Sequence, residues 1–386
     1  MRRLSIVLAV WAAGLGAAAQ FGKMSVLFAT LQAQYAGQGA VALGLVVSVV
    51  GMVGLVFGTT AGLLVARIGP KRAIVAGLAM GAAMSALQSL LPSYPLMIAS
   101  RVVEGISHLA IVVVGPTLIA GLAAERFRGL AMTLWSSFFG VTYTVLALAA
   151  PAVIGWGGAP AVFLTHAGWM AAMTAVLALL LPADPPRAAL GATGTLLAHH
   201  IEIYRSPRLS APAMGFFCYT FLYVAILTLL PPETPLSHRA MVAAGMPLIS
   251  ICVSLTLGVW LLGRMSAVRL VQVGYLAAAP GFLALAVVWG HGAGMLVAGL
   301  WLSAALGIVQ GASFSSIPEL NASPNDRARA AGAIAQLGNL GTTTGTPLLA
   351  ALLATAGPTG LAICALVLCG LGIALHAIQA RRRQVA

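Results

Sequence analysis

Three ionisable side chains, Arg101, Glu104 and His108, lie within eight consecutive positions of a stretch that is otherwise apolar. In an α-helix each residue is rotated by about 100° from the one before it, so these positions share one face, with Gly105 beside them. A carboxylate or an imidazole can take up and release a proton, and a guanidinium can hold a carboxylate through two parallel hydrogen bonds. The spacing therefore predicts a polar stripe suited to binding a proton and an anion.

A second polar pair, Gln20 and Lys23, interrupts the first apolar run of the chain. Charged side chains are costly in hydrocarbon, so they face a bundle interior or a wet cavity and mark ion or substrate pathways. Lys23 and Arg101 against Glu104 leave one excess positive charge, which needs an anionic counter-ion in a medium of low dielectric. We therefore expect Lys23 to act as a point charge, and Arg101 as a bidentate donor, toward an anionic solute.

Proton coupling is assigned first to Glu104, because burial disfavours the charged form of a carboxyl group. His108 is the second candidate. The same residues also have structural interpretations. Lys23 could extend to the outer headgroups, Arg101 could hold backbone carbonyls or pair only with Glu104, and His108 could be a packed neutral histidine.

The elements that carry these residues are predicted to be membrane-spanning helices. Of the 386 residues, 60% are hydrophobic and only 7% are charged, far from the balance of a soluble domain. Apolar runs of about 20 residues recur, each long enough to cross roughly 30 Å of hydrocarbon as a helix. The twelve predicted spans are 5–33, 41–66, 73–91, 95–122, 130–155, 160–181, 210–231, 241–262, 270–289, 292–317, 330–355 and 359–379.

Basic residues fall on one side of these spans. If the spans alternate in direction, every one of the 20 Lys and Arg residues except Lys23, Arg101 and Arg239 lies on a single side. The positive-inside rule makes that side cytoplasmic. The net charge of +13 therefore sets topology, and no nucleic acid partner is expected. We predict a multi-pass protein of the cell inner (plasma) membrane, embedded in the lipid bilayer, with both termini in the cytoplasm.

The longest polar connection divides the chain into two halves. We predict an N-terminal six-helix bundle at 1–181, a cytoplasmic linker that could hold an interfacial helix at 182–209, and a C-terminal six-helix bundle at 210–386. A shift of 202 positions places Gly105 on Gly307 and Pro116 on Pro318, as in a diverged repeat. Parallel repeats of six spans are typical of one large transporter architecture.

No metal or cofactor is expected. The four cysteines fall inside predicted spans at no metal-like spacing, so we interpret them as packing residues. His199 and His200 are adjacent, so on a helix their side chains point about 100° apart, and no cluster of Cys or carboxylates accompanies them.

The segment from Gly62 to Arg72, GLLVARIGPKR, resembles a cytoplasmic signature of the major facilitator superfamily. That signature, Gly-x3-Asp-Arg-x-Gly-x-Arg/Lys-Arg/Lys, lies between the second and third spans of the family. The matching residues are Gly62, Arg67, Gly69, Lys71 and Arg72. Ala66 stands where the family has Asp.

Two further stretches bear on the resemblance. Arg101 and Gly105 match a second family signature early in the fourth span. The antiporter signature of the fifth span survives only as APAVIG, which keeps Pro151 and Gly155 but loses two glycines. That departure argues against drug/proton antiport.

The resemblance implies an all-α membrane protein whose twelve transmembrane helices form two six-helix bundles related by a pseudo-repeat. In the family, spans one, four, seven and ten line a central cavity, and the unusual residues of this chain fall on those spans. The substrate-binding candidates are Lys23, Gln20, Arg101, Phe216, Tyr219, Tyr223, Ser303 and Gln310. Span seven would supply aromatic walls and span ten would supply hydrogen-bonding groups.

The resemblance also implies gating residues at the cytoplasmic side, namely Arg67, Gly69, Lys71 and Arg72. In the family the Asp of the signature holds the two halves of the protein closed by charge pairing. Ala66 cannot do so, and Glu125 in the next cytoplasmic loop could pair with Arg67 or Arg72 instead. The same charges could serve only to set topology.

Together these observations predict a secondary active transporter that moves a small organic anion by alternating access, coupled to a proton or to a counter-substrate. A monomer is expected. The alternative within transporters is a proton-coupled exporter of drug-like apolar or cationic compounds that uses Glu104. The alternatives from other classes are an intramembrane enzyme and a non-transporting receptor. We expect no enzyme activity, because the sequence contains no nucleotide-binding loop, no His-Glu-x2-His set and no soluble domain.

Overall fold

The computed structural model describes residues 2–122, 131, 134–135, 137–184 and 196–385, and every regular element in these ranges is helical. The predicted all-α class is therefore confirmed. The helices before the long connection are α1 (Arg2–Val26), α2 (Phe28–Gln34), α3 (Ala40–Ser48), α4 (Met52–Phe57), α5 (Ala61–Ile68), α6 (Pro70–Gln88), α7 (Tyr94–Leu122) and α8 (Phe138–Leu180). The later helices are α9 (Leu196–Arg205), α10 (Ala211–Glu233), α11 (Leu236–Val253), α12 (Val259–Leu262), α13 (Ala267–Val287), α14 (Gly292–Leu320) and α15 (Pro324–Val385).

Within the described ranges, nine helical stretches are long and apolar enough to cross a membrane. Two of them, in α8 and α15, have 43 and 62 residues, too many for one crossing of roughly 30 Å. Each is interrupted by a glycine of positive φ, Gly158 at 65° and Gly357 at 62°, a conformation that L side chains disfavour. When these two helices are divided at the interruptions and the 19-residue α6 is included, the twelve predicted crossings are accounted for.

The first of two compact units comprises Met1–Ala36 and Val49–Ala192. Helices α1, α6, α7 and α8 pack together around an apolar core that contains Val10, Ile74, Ile111 and Met170. Small residues allow close approach between these helices. At Gly81 of α6 an added methyl group would lie 2.6 Å from the Ser107 hydroxyl of α7 and 3.0 Å from the Gln20 amide of α1. The three helices therefore meet at the level of the predicted polar residues.

The second unit comprises Gly37–Ser48 and Thr193–Ala386. Its central helix, α10, is buried along almost its whole length and packs on α15, where Gly341 and Gly345 lie against the α10 backbone. Helix α3 also packs on α15, with Gly44 against Pro347 and the Ser48 hydroxyl donating to the Thr343 carbonyl at 2.9 Å. The structure thus groups 37–48 with the later part of the chain, whereas the sequence placed it within 1–181.

The long connection contains one described helix, α9, which is fixed to α15 by polar contacts. The Tyr204 hydroxyl donates to Gln336 Oε1 at 2.8 Å, and Arg329 pairs with Glu202 at 2.8 Å. Burial raises the pKa of Tyr204 to about 12, so the phenol stays a neutral donor in the physiological range. These bonds hold the end of the connection on the second unit.

Candidate functional site

Six polar side chains meet inside the first unit, and we call this group the buried cluster. Lys23 comes from α1, Arg101 and Glu104 come from α7, and none of these three has any exposed surface. The other members are Ser85 and Gln88 of α6 and His166 of α8. The sequence singled out the three charged residues, and the structure brings all three together.

Glu104 is the centre of the charge pairing. Its Oε1 accepts a hydrogen bond from Lys23 Nζ at 2.6 Å, and its Oε2 accepts from Arg101 Nη1 and from Gln88 Nε2 at 3.0 Å. Arg101 and Glu104 therefore form an ion pair at i,i+3, but Glu104 also pairs with Lys23. With neutral histidines, two cations share one carboxylate, and the buried cluster carries one net positive charge.

Lys23 is an internal cation and does not extend to the membrane surface. Besides Glu104, its ammonium group donates to Ser85 Oγ at 3.0 Å and to His166 Nδ1 at 3.2 Å. It also lies 5.6 Å from the centre of the Phe163 ring, within reach of a cation–π interaction. An ammonium has three hydrogens, and here three acceptors surround it. The headgroup interpretation of Lys23 is therefore wrong.

His166 is a member of the buried cluster that the sequence did not assign. Its Nε2 lies 3.0 Å from the Gly16 carbonyl oxygen, and because a carbonyl only accepts, this nitrogen must carry a hydrogen. Its Nδ1 faces Lys23 Nζ and, at 2.9 Å, Ser85 Oγ. A histidine inside the sixth span was the available signal. Sequence alone could not show that its ring faces Lys23.

His108 lies on the same face of α7 as Glu104 but has different partners. Its Nδ1 lies 3.1 Å from the Ala17 carbonyl, and its ring packs edge-on against Phe21 at a centroid distance of 5.1 Å. Nearby, Gln20 Nε2 donates to Ser107 Oγ at 2.9 Å. Among the described residues the Oε1 atoms of Gln20 and Gln88 are buried without a hydrogen-bond partner. His108 thus has the environment of a packed, backbone-bonded histidine.

The predicted residues of spans seven and ten lie in the second unit. Phe216, Tyr219 and Tyr223 form a stack along α10, with ring centroids 5.2 and 5.0 Å apart, so they share one face as expected. On α14, Ser303 is buried, and its hydroxyl has no hydrogen-bond partner within the described part of the chain. Gln310 of the same helix is half-buried.

The predicted gating residues surround an aspartate that the sequence did not single out. Asp184 accepts from the backbone N–H groups of Lys71 at 2.8 Å and Arg72 at 3.0 Å, at the amino terminus of α6. The Lys71 ammonium donates to the Leu181 carbonyl at 2.7 Å. We name Asp184 with the first turn of α6 the Asp184 cap. A carboxylate here is favoured both by free N–H groups and by the helix dipole.

Gly69 makes room for the Asp184 cap. Its φ of 99° disfavours any other residue, and an added methyl group would overlap the Asp184 carboxylate. The Arg67 side chain is exposed. Glu125, the predicted partner of Arg67 or Arg72, lies outside the described residues. The carboxylate that the structure places near Arg72 is Asp184, at 4.0 Å from Arg72 Nε.

One known protein family matches most of the chain. The family model described as Major Facilitator Superfamily matches residues 6–346. The inner membrane transport protein YajR of Escherichia coli (strain K12) is 28% identical over 196 residues, which is 50% of this chain and 42% of that protein. The chain thus matches less than half of the length of this relative.

Solved structures show the same fold. The E. coli fucose:proton symporter FucP aligns with a TM-score of 0.69 and 16% identity, and the human organic anion transporter MFSD10 (TETRAN) aligns with a TM-score of 0.73 and 19% identity. Each alignment covers 98% of this chain and 99% of the other. The predicted fold of twelve transmembrane helices in two six-helix bundles is confirmed.

Proposed function

Since the chain belongs to the Major Facilitator Superfamily of secondary transporters, we propose that it carries a small organic anion across the membrane. One observation carries this proposal. The buried cluster contains two cations, Lys23 and Arg101, and one carboxylate, Glu104, all without exposed surface. An anionic cargo balances the net positive charge of the buried cluster.

The electrostatic argument rests on the cost of an uncompensated buried charge. Removing an ion from water costs several kcal/mol even after relaxation, and only close opposite charges offset that cost. Glu104 is the single carboxylate of the buried cluster, which contains two cations. An anion that enters beside Lys23 and Arg101 balances the charge. A cation that enters increases the imbalance.

The hydrogen bonds indicate how such an anion binds. All three acceptors around the Lys23 ammonium are protein groups, so an incoming carboxylate competes with Glu104 for this cation. Arg101 then holds the cargo, Glu104, or both through its planar fork. For the organic part of the cargo, our candidates remain Gln20, Phe216, Tyr219, Tyr223, Ser303 and Gln310. Their assignment follows the family's use of spans one, seven and ten.

Alternating access is the proposed mode of transport, with the segment from Arg67 to Arg72, where α5 ends and α6 begins, as a cytoplasmic gate. Transport is coupled to a proton or to a counter-substrate, and the functional form is a monomer. We place the protein in the inner membrane, with both termini in the cytoplasm. The partial relative YajR is an inner membrane transport protein, which supports that location.

Uptake into proteoliposomes tests the proposal. We expect accumulation of at least one of labelled benzoate, succinate and lactate, and no accumulation of the cations tetraphenylphosphonium and ethidium. Lys23→Gln should strongly reduce accumulation at low anion concentration, whereas Arg3→Gln, which removes an exposed cation from the same helix, should retain it. Transport of the cations in a manner that requires Glu104 would contradict the anion proposal and favour the drug exporter.

A further inference from the structure

The Ser85 hydroxyl contacts three groups, and two of them require its single proton. It is 2.9 Å from the Phe163 carbonyl oxygen, 2.9 Å from His166 Nδ1 and 3.0 Å from Lys23 Nζ. The carbonyl only accepts, and a charged ammonium only donates. Because His166 Nε2 carries its hydrogen toward Gly16, Nδ1 of a neutral ring also only accepts. One of the two contacts, to Phe163 or to His166, therefore lacks a hydrogen.

One added proton at His166 Nδ1 supplies the absent hydrogen, and Lys23 then loses Nδ1 as its third acceptor, which leaves one ammonium N–H group for an incoming anion. The Nδ1–H group then donates to Ser85 Oγ, the Ser85 hydroxyl donates to the Phe163 carbonyl, and Nε2–H continues to donate to the Gly16 carbonyl. Both N–H groups of the imidazolium have an oxygen acceptor already in place. We propose that His166 binds the coupling proton at Nδ1, an inference that rests on the proposed anion transport.

The charges around His166 explain why this proton would bind together with an anion. On α1, Lys23 Nζ lies 3.2 Å from His166 Nδ1. On α7, the opposite charges of Arg101 and Glu104 act electrostatically on the His166 ring. On α6, the neighbour of His166 is the uncharged Ser85. An imidazolium beside the Lys23 ammonium is repelled. An anion bound at Lys23 offsets that repulsion. Proton and anion then increase each other's affinity by the same factor, which is the requirement for symport.

The other two proton candidates fit less well. Both oxygens of Glu104 already accept hydrogen bonds, from Lys23, Arg101 and Gln88, and a proton on this carboxylate would leave two cations without a counter-charge. His108 donates to the Ala17 carbonyl and lies against the rings of Phe21 and Phe139. For His166, Ser85 Oγ already lies where it can accept a hydrogen bond from an added proton. Neither Glu104 nor His108 has an oxygen acceptor in such a position among the described residues.

Proton uptake on anion binding tests this inference in the purified full-length protein. When benzoate, succinate or lactate binds in weakly buffered solution, we expect the wild type to take up about one proton per anion. His166→Gln should bind the anion without proton uptake, while His108→Gln, a substitution of the other buried histidine of the unit, should keep the uptake. Anion binding without proton uptake in the wild type, or loss of uptake in His108→Gln, would overturn the inference.

Nitrogen-15 NMR of the histidine rings provides a second measurement that needs no anion. We expect the His166 signal, identified by its absence in His166→Gln, to show the Nε2–H tautomer at alkaline pH. At a fixed mildly acidic pH the imidazolium fraction should be larger in Lys23→Met, where the neighbouring cation is gone. The Nδ1–H tautomer, or an unchanged fraction in Lys23→Met, would refute the proton site even if anions are transported. A confirmed proton site without transport of any tested anion would instead refute the proposed function.

Discussion

Lys23 on α1 and Glu104 on α7 form a buried ion pair with an Nζ to Oε1 distance of 2.6 Å. The same carboxylate also accepts from Arg101 of α7 and Gln88 of α6, so it links three helices of the first unit. Breaking a buried pair at one partner is costly because the other charge remains without compensation. Removing the charge of Lys23 leaves Glu104 paired with Arg101, whereas removing the charge of Glu104 leaves two cations without their shared carboxylate. The two neutral substitutions should therefore differ sharply in their effect on stability.

Lys23→Gln should leave the protein folded but weaken anion binding. The substitution removes an expensive buried charge, and Glu104 keeps Arg101 and Gln88 as partners. Loss of one charge-assisted hydrogen bond corresponds to about 1.5–3 kcal/mol, or roughly tenfold to more than a hundredfold in Kd. Binding of labelled benzoate, succinate or lactate to purified protein measures the change. A Kd within about twofold of the wild type would remove Lys23 from the anion site.

Arg101→Lys should also weaken anion binding, although it conserves charge. A lysine ammonium cannot reproduce the planar fork that holds a carboxylate through two hydrogen bonds. The same binding measurement gives the comparison. Arg264→Lys is the matched control, because Arg264 is exposed and stacks on Trp260 at 3.5 Å. Equal affinities in Arg101→Lys and the wild type would show that charge alone matters at this position.

Glu104→Gln should lower the stability of the protein and make it depend on added anions. The variant leaves Lys23 and Arg101 buried without a carboxylate, and such a loss costs about 3–5 kcal/mol. Thermal unfolding in detergent should show a large decrease in Tm that millimolar benzoate partly reverses. Glu202→Gln is the control, since Glu202 is exposed and pairs with Arg329 at the surface, where an ion pair is worth about 0–1 kcal/mol. Equal Tm values for the two variants would contradict the pairing described here.

Asp184→Ala should remove the cap at the amino terminus of α6 and lower the free energy of unfolding by about 0.5–2 kcal/mol, the usual cost of losing a helix cap. Gly69→Ala should cost about 1–3 kcal/mol because of its positive φ, and more because its methyl group overlaps Asp184. In the double variant the overlap disappears, so the combined loss should be smaller than the sum of the two single losses. Thermal unfolding of the four proteins measures this coupling. Strict additivity would show that the Asp184 cap does not depend on Gly69.

Cysteine labelling should confirm the predicted topology. In a variant without the four native cysteines, Arg72→Cys and Arg264→Cys should react with an impermeant maleimide only from the cytoplasmic side. Ser237→Cys, in the first turn of α11, should react only from outside. All three positions are exposed on the protein, so the membrane alone should decide the reaction. Reaction of Arg72→Cys from outside would invalidate the orientation.

The sequence was sufficient to predict the charged part of the candidate site and the class of fold. Lys23, Arg101 and Glu104 stand out because charges are rare in apolar spans, and an isolated buried charge must find a partner. The aromatic stack of Phe216 and Tyr219 followed from helical periodicity. Neither inference required knowledge of which helices are neighbours.

Other features depend on packing between distant helices, which periodicity does not contain. Ser85 and His166 are ordinary residues of apolar spans until α6 and α8 pack beside α1 and bring them within 2.9 Å of each other. Asp184 looked like a linker residue, because its partners are backbone N–H groups 113 and 112 positions away. The grouping of α3 with α15 likewise depends on the contact of Gly44 with Pro347.

The positive-φ glycines that interrupt α8 and α15 also share one backbone geometry. Gly158 and Gly357 have nearly the same backbone angles, φ of 65° and 62° with ψ of −161° in both, and each is followed within two residues by a proline. They occupy equivalent places, between the last two spans of each half. A tandem duplication of an ancestor with six spans would leave this trace, because each copy inherits the hairpin. The matching backbone angles thus fit the pseudo-repeat of the two halves.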